Sequence, residues 1–263
     1  MVRILFVGDV VGKVGRRLLQ ERLRRLQHEL EADLTVVNIE NAAGGFGLTG
    51  AVWDELKRLG VDVFTSGNHI WDKRETADLL DAEPRLLRPA NYPAGNPGRG
   101  WVVVKAGRVS AAVINLQGLT FMSAIESPFR AADRILEELP AEVRVRVVDF
   151  HAEATSEKQA FSWYLDGRVS AVLGTHTHVQ TADERLLPNG TAALSDVGMT
   201  GPHEGIIGFK PQAVIERFLF ATPRSLEPAT RGGALCGALV EVDEATGHAV
   251  GIRRLRIEDG PSA

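Results

Sequence analysis

The chain has 263 residues, of which 44% are hydrophobic and 24% charged, and its formal net charge is −4 at pH 7. This composition is that of an ordinary globular protein, which excludes collagen, low-complexity polymer and wholesale disorder. The acidic balance gives no overall positive field, so we expect neither stable nucleic-acid binding nor attachment to an anionic membrane. The length suits one α/β unit, and we expect residues 1–263 to form a single domain.

Cysteine usage and apolar runs indicate where the protein works. The single Cys236 cannot form an intrachain disulfide. The apolar run at 4–7 is too short for the core of a signal peptide. No stretch reaches the roughly 18 apolar residues that a membrane-spanning helix needs. The sequence therefore predicts a cytoplasmic protein without a membrane span.

The first third of the chain alternates short β-branched runs with helix-like segments. Strands are predicted at 3–11, 34–39 and 61–66, and helices at 14–31, 49–59 and 73–80. In the first of these helices, leucines recur at helical spacing against an arginine-rich face that we expect to be solvated. Successive strand–helix units predict a parallel sheet with right-handed crossovers.

The remaining two thirds of the chain add hairpins to this pattern. Strands are predicted at 101–106, 109–116, 143–150, 169–175, 234–242 and 248–257, and helices at 128–139 and 156–165. The first two and the last two of these strands form hairpins, so we expect mixed rather than purely parallel sheets. The Gly- and Pro-rich stretch 189–211 is interpreted as a lid or binding loop.

Polar side chains follow the ends of five predicted strands. They are Asp9, Glu40, Asn41, Asn68, His69, His151, His176 and His178. Ligands of an open α/β sheet bind outside the carboxyl ends of its strands, so we expect these groups to converge on one pocket. If the backbone stays extended at His176 and His178, both imidazoles point to the same side.

The chemistry of this set fits a pair of metal ions better than a single ion. About six protein ligands are too many for one tetrahedral ion, but they suit two ions bridged by Glu40 and a hydroxide. Two ions roughly 3.5–4 Å apart promote in-line displacement at phosphorus. Nitrogen and oxygen donors suit manganese, iron and zinc alike.

Three residues of the set also have a structural interpretation. Asp9 can cap the helix that starts near residue 12, Asn68 can be a turn residue, and His151 can be a hydrogen-bonded structural histidine. These explanations are separate from one another, whereas a metal pocket accounts for all five strand ends together. The coincidence therefore favours the pocket.

Other features carry weaker signals. The G-x-G-x-x-G pattern at 45–50 follows the second predicted strand, and the next strand does not end in an acidic residue, so we interpret it as a turn near the pocket. The stretch 8–14 resembles a phosphate-binding loop, but its glycines are too close together. We expect Cys236 in the core, His203 at the pocket rim, and His28 and His248 in solvent.

The order of these motifs resembles the calcineurin-like metallophosphoesterases. The shared features are Gly8-Asp9, Gly67-Asn68-His69, His151 and the Gly-x-His-x-His pattern at 174–178. The segments 38–45, 65–72 and 195–202 resemble more specifically the YmdB-type bacterial phosphodiesterases, and the match covers most of the chain. Val11 stands where the wider superfamily has the His of a D-x-H motif, and Glu40-Asn41 where it commonly has a bridging Asp. The YmdB-type branch shows the same departures.

The resemblance implies a four-layer αββα metallophosphoesterase-type sandwich with mixed sheets. It also implies two divalent or mixed-valence metal ions, iron or manganese. One ion would be held by Asp9, Glu40, Asn41 and His178, and the other by Glu40, Asn68, His151 and His176. His69 would stand beside the phosphate as the general acid. A homo-oligomer is also implied.

For function, the resemblance implies hydrolysis of a small cyclic nucleotide, above all a 2′,3′-cyclic nucleotide such as 2′,3′-cAMP. A metal-bound hydroxide would attack phosphorus, and His69 would protonate the departing ribose oxygen. The residues by themselves argue only for metal-assisted phosphoester chemistry. Two alternatives therefore stay open: a broad-specificity phosphomonoesterase or phosphodiesterase acting on another small phosphoester, and a regulatory protein that binds a phosphorylated ligand without turnover.

Overall fold

A computed structural model describes residues 1–260 and contains two mixed β-sheets with helices outside them. The strands are β1 (Val2–Val7), β2 (Leu34–Asn38), β3 (Val63–Thr65), β4 (Trp101–Ala106), β5 (Val109–Gln117), β6 (Val145–His151), β7 (Ala171–Thr175), β8 (Arg185–Leu186), β9 (Ala192–Leu194), β10 (Gly201–Pro202), β11 (Gly233–Val242) and β12 (Ala249–Glu258). The helices are α1 (Gly12–Glu29), α2 (Gly50–Leu56), α3 (Thr76–Ala82), α4 (Pro128–Glu138), α5 (Thr155–Tyr164) and α6 (Pro211–Phe220). A 3₁₀ turn spans Asn68–Trp71.

The two sheets have six strands each. In the first sheet, β1, β2 and β3 run parallel, and β11 lies antiparallel to β1 with β12 on its far side and the short β10 at its end. In the second sheet, β5, β6, β7 and β9 run parallel, with β4 and β8 as antiparallel edges. Both sheets are therefore mixed, as the sequence predicts.

Alternate residues of β1 face opposite layers. Ile4 and Phe6 belong to an apolar cluster that joins the two sheets and includes residues of β6 and β7. Leu5 and Val7 point the other way and pack with residues of α1, α2 and α3. A third cluster packs Phe150 and the second sheet against α4 and α5. The order of layers is helices, sheet, sheet, helices, which confirms the predicted αββα sandwich.

The 189–211 stretch matches its sequence interpretation only in part, since Ile207 and Phe209 line a cavity but other residues belong to the sheets. It is not one continuous loop, because β9 adds to β7 in the second sheet and β10 adds to β11 in the first. These strands have three and two residues, too few to show an alternating pattern in the sequence. Helix α6, which starts where the stretch ends, was not predicted either.

The described residues include no helix that is both long and apolar enough to cross a bilayer.

The candidate site residues lie at the ends of strands from both sheets. Asp9 follows β1, Glu40 follows β2 and Asn68 follows β3, while His151 ends β6 and His176 follows β7. The carboxyl ends of parallel strands from both sheets therefore meet at one edge of the sandwich.

Candidate metal centre

The loop after β1 places Asp9 in the interior. Its backbone oxygen accepts a hydrogen bond from Thr200 N at 2.8 Å, and its side chain is fully buried. Helix α1 has Val11 at its N-cap position and no side-chain cap, so the capping interpretation of Asp9 is wrong. Instead, Asp9 Oδ2 accepts a hydrogen bond of 3.0 Å from His176 N. Asp9 thus links the first sheet to the loop after β7.

One group of donors surrounds the inner ring nitrogen of His151. His151 Nε2 lies 3.1 Å from Glu40 Oε1, 3.2 Å from Asn68 Oδ1 and 3.0 Å from His176 Nδ1. Glu40, His151 and His176 thereby offer three ligand atoms within 4.8 Å of one another. The turn interpretation of Asn68 also holds, because Asn68 begins the 3₁₀ turn.

A second group shares Glu40 with the first. Asp9, Glu40 and His178 offer ligand atoms within 4.8 Å of one another, and all three residues are buried. Asn41 Nδ2 donates to Glu40 Oε1 at 3.0 Å and lies 3.0 Å from His178 Nε2. Rotating this amide by half a turn would present its oxygen at the same point. The seven residues expected to ligate metal therefore meet in two groups joined by Glu40.

Hydrogen bonds on the far side of each ring turn one nitrogen inward. His151 Nδ1 lies 2.8 Å from Thr175 Oγ1, which donates to Asp149 Oδ1 at 2.7 Å. His178 Nδ1 donates to the backbone oxygen of Ile207 at 2.8 Å. Such bonds fix the orientation of an imidazole and leave its other nitrogen for a metal.

The backbone at His176 and His178 is not extended, so the condition under which both imidazoles would point to the same side is not met. His176 and His178 have φ values of +101° and +66°, so the chain folds back sharply after β7. Buried contacts hold this turn. Asp196 Oδ2 accepts from Thr177 N at 3.1 Å and from Thr177 Oγ1 at 2.7 Å, and it pairs with Lys158 Nζ at 2.7 Å.

The electrostatics of the site favour a cation. Burial lowers the pKa of His151, but the carboxylates of Glu40 and Asp9 outweigh it and raise that pKa to about 9. Burial would raise the pKa of Glu40, yet the neighbouring imidazoles lower it below its ordinary value. Burial and the His151 charge lower the pKa of His176 to about 3. Burial also raises the pKa of Asp9, so the two buried carboxylates depend on positive charge beside them.

Two buried oxygens test whether metal ions fit. Asp9 Oδ1 and Asn41 Oδ1 make no hydrogen bond within residues 1–260. An unpartnered buried oxygen is costly unless an ion or a donor meets it. Carboxylate and amide oxygens beside inward-facing imidazole nitrogens form a donor set for manganese, iron or zinc. The residues present therefore fit the expected ions.

His69 stands apart from the two groups. Its backbone N donates to Glu40 Oε2 at 3.1 Å, and its ring Nδ1 lies 2.9 Å from Asp72 Oδ2. The ring lines a cavity of about 460 Å³ that Glu40, His176 and His178 also line. His69 is therefore placed to meet a ligand in the cavity, while its backbone is hydrogen-bonded to Glu40.

The other sequence expectations have mixed outcomes. His203 does not line this cavity in the described part of the chain, and its Nε2 instead contacts Met199 O at 3.1 Å, so the rim prediction is wrong. His28 and His248 are exposed, as predicted. Cys236 is buried in the core, also as predicted, and burial raises the pKa of its thiol to about 11.

Sequence reasoning missed the supporting residues. Asp149 interrupts the apolar run of β6 and Thr175 ends β7, so a polar residue inside a buried strand was the available signal for both. The Lys158–Asp196 pair gave no such signal, because it joins α5 to a loop 38 residues further along the chain. Long-range ion pairs of this kind cannot be derived from local spacing.

Comparisons with known proteins find relatives over nearly the whole chain. The model of the YmdB-like protein family matches residues 5–255. A Bacillus subtilis protein named 2′,3′-cyclic-nucleotide 2′-phosphodiesterase is 48% identical over 98% of both chains. The crystal structure of a Mycoplasma pneumoniae phosphatase superposes with a TM-score of 0.92 at 34% identity, covering 99% of this chain and 95% of that one. The NAD nucleotidase of Haemophilus influenzae shares the fold alone, with a TM-score of 0.60 at 12% identity, covering 98% of this chain and 56% of that one.

The close approach of the backbone at Gly67 gives a first prediction. A Cβ at this position would lie 2.2 Å from His151 Nε2 and 2.3 Å from Glu40 Oε2. We expect Gly67→Ala to push these two side chains apart and to weaken Mn²⁺ binding by about tenfold or more, as displaced supporting contacts do. Titration of the metal-free protein with Mn²⁺ measures the change. Gly260→Ala, where a Cβ meets nothing within 4 Å, is the control. Unchanged Mn²⁺ affinity in Gly67→Ala would contradict the prediction.

The buried Lys158–Asp196 pair gives a second prediction. Lys158→Met keeps most of the side-chain volume but leaves Asp196 buried without its cation. We expect the free energy of unfolding to fall by about 3–5 kcal/mol. Urea unfolding of the metal-free protein measures it. The matched control is Lys57→Met, which removes an exposed pair with Asp54 and should cost no more than about 1 kcal/mol. Equal losses of unfolding free energy in the two variants would show that the buried pair contributes no more to stability than the exposed one.

Proposed function

The chain belongs to the YmdB-like protein family, and from this membership we propose that it is a metal-dependent phosphodiesterase that hydrolyses 2′,3′-cyclic nucleotides. The observation that carries the proposal is the pair of donor groups that share the buried carboxylate of Glu40. Both open on the cavity that His69 lines. The high identity to a relative named for this reaction supports the choice of substrate.

We assign the ligands as two overlapping sets. Asp9, Glu40, Asn41 and His178 would hold one ion, and Glu40, Asn68, His151 and His176 the other, with Glu40 common to both. Iron or manganese matches these nitrogen and oxygen donors. Ions held there supply positive charge for the phosphate oxygens and lower the pKa of water so that a nucleophile exists at neutral pH.

The protein side chains perform the remaining steps. The substrate would lie in the cavity that Glu40, His176 and His178 line, with its phosphate at the ions that the two donor groups would hold. Asp72 is bonded to Nδ1 of His69, which leaves Nε2 as the nitrogen that can give a proton. When water adds to phosphorus and the bond to the ribose 2′ oxygen breaks, His69 protonates that oxygen, and the product is a 3′-nucleotide.

Four further sequence expectations are retained as proposals. A single buried Cys236 suits the cytoplasm, where thiols stay reduced. The substrate is a small phosphoester, and we expect no stable binding of nucleic acid. The arginines of α1 that form exposed ion pairs, such as Arg17 with Glu21 and Arg25 with Glu29, agree with a solvated face. A homo-oligomer stays a prediction.

The substrate proposal is tested with metal-loaded protein. We expect Mn²⁺-loaded protein to convert 2′,3′-cAMP to 3′-AMP with kcat/KM at least tenfold above that for 3′,5′-cAMP or for 3′-AMP as a monoester. Chelator-treated protein is expected to be inactive until Mn²⁺ is restored. Chromatography of the nucleotides identifies the products. Equal or faster monoester hydrolysis would favour the broad-specificity alternative. Nucleotide binding without turnover under any metal would favour the regulatory one.

The role of His69 has its own test. His69→Ala is expected to lower kcat on 2′,3′-cAMP by about 10²–10⁴, the usual contribution of a general acid. Its metal content by elemental analysis is expected to stay that of the wild type. The loss should be much smaller on bis(p-nitrophenyl) phosphate, whose leaving group needs no proton. His28→Ala, on the exposed face of α1, serves as the control. Full activity on 2′,3′-cAMP, or loss of a metal ion, would remove His69 from this role.

A further inference from the structure

The cavity beside the metal groups has two unlike halves. One half presents the polar side chains already described. The other half is formed by four apolar side chains, Phe46, Ile207, Phe209 and Leu226, which we call the apolar wall. Nothing in the proposed metal chemistry requires an apolar surface here. The wall therefore indicates that the ligand has an apolar part as well as a phosphate.

The wall has a flat aromatic surface that is fixed before any ligand binds. The rings of Phe46 and Phe209 stack with centroids 5.0 Å apart and planes at 20°. A Cβ at Gly45 would lie 2.8 Å from the Phe209 ring, so only glycine allows this approach. Phe46 also meets His69 edge-on, with centroids 5.0 Å apart. The aromatic surface thus begins directly beside the proposed general acid.

Ile207 joins the apolar wall to the metal groups. Its φ is +44°, a left-handed conformation that is rare and strained for a β-branched residue. In that conformation its backbone oxygen accepts the hydrogen bond from His178 Nδ1. Its side chain remains 48% exposed and lines the cavity. Ile207 therefore has a strained backbone at a position where it both orients His178, a proposed metal ligand, and forms part of the apolar wall.

The charged residues around the cavity indicate what kind of apolar group the ligand carries. The acidic Glu153 faces His176 Nε2 at 3.0 Å, on the polar half. The cation among the lining residues is Arg217, which is exposed and makes no ion pair in the described chain. A flat, uncharged ring suits such a wall, since planar bases stack on aromatic side chains and on guanidinium groups.

We propose that the apolar wall is a nucleobase subsite, so that the protein selects phosphodiesters that carry a base. The inference rests on the proposed function, because the phosphate of the same ligand has to lie at the metal groups. In this arrangement the base lies on Phe46, next to Ile207 and Leu226. The ribose spans the space between the wall and His69.

A matched pair of variants tests the subsite. Phe46→Leu removes an aromatic face inside the cavity, whereas Phe218→Leu makes the same change on α6 at a side chain that is 86% exposed and does not line the cavity in the described structure. The readout is the ratio of kcat/KM for 2′,3′-cAMP to kcat/KM for the base-free ester 1-O-methylribose 2,3-cyclic phosphate. Loss of one base stack lowers this ratio about tenfold in Phe46→Leu, mainly through KM, and Phe218→Leu leaves it unchanged.

The outcomes separate the subsite from the reaction. If wild-type protein hydrolyses both esters equally well, the subsite is wrong and the phosphodiesterase stands. If Phe46→Leu slows both esters equally, Phe46 acts through His69 and the subsite is again wrong.

Calorimetric titration with adenosine is independent of turnover, so it decides the subsite even if neither ester is hydrolysed and the proposed function fails. Binding to wild type and at least fivefold weaker binding to Phe46→Leu support the subsite. No binding to wild type, or equal binding to the two proteins, overturns it.

Discussion

The buried carboxylate of Glu40 is the group to which the other parts of the site are fitted. Its Oε1 accepts from Asn41 and lies 3.1 Å from His151 Nε2, and its Oε2 accepts from the backbone of His69. A carboxylate removed from water is costly unless donors and positive charge surround it. Two other chain segments, those of His69 and His151, therefore meet at this one side chain. Because the second sheet supplies one of them, the packing of the two sheets is part of the site.

Polar contacts between the sheets lie immediately behind the site. Asn38 Nδ2, at the end of β2, donates to Asp149 Oδ2 on β6 at 2.9 Å. Ser66 N, just after β3, donates to Asn115 Oδ1 on β5 at 3.0 Å. An apolar cluster fills much of the interface between the sheets, and apolar packing alone tolerates small shifts. Buried hydrogen bonds that are lost on sliding hold one sheet in register with the other where the ligands need it.

Site residues at strand ends could be predicted from the sequence. The backbone conformation of the turn after β7 could not. Glu40 and His151 could be placed because each follows or ends a buried run, and a strand end is visible in local pattern. The positive φ of His176 could not be foreseen, since Asp9 and Asp196 stabilise that turn from distant parts of the chain. Helix α6 was missed because it exposes Phe218 and other apolar residues instead of one buried stripe.

A regular strand after β7 could not direct His176 and His178 to the two separate donor groups. On an extended strand, two residues at spacing two lie about 6.6 Å apart and point in the same direction. Here the histidines diverge: His176 meets His151, whereas His178 reaches towards Asp9 and Asn41. The positive φ values of His176 and His178 allow the two side chains to point in different directions although the residues are only two positions apart. The backbone strain is held by hydrogen bonds from the turn to buried carboxylates, so precision at the two donor groups and stability of the loop come from the same contacts.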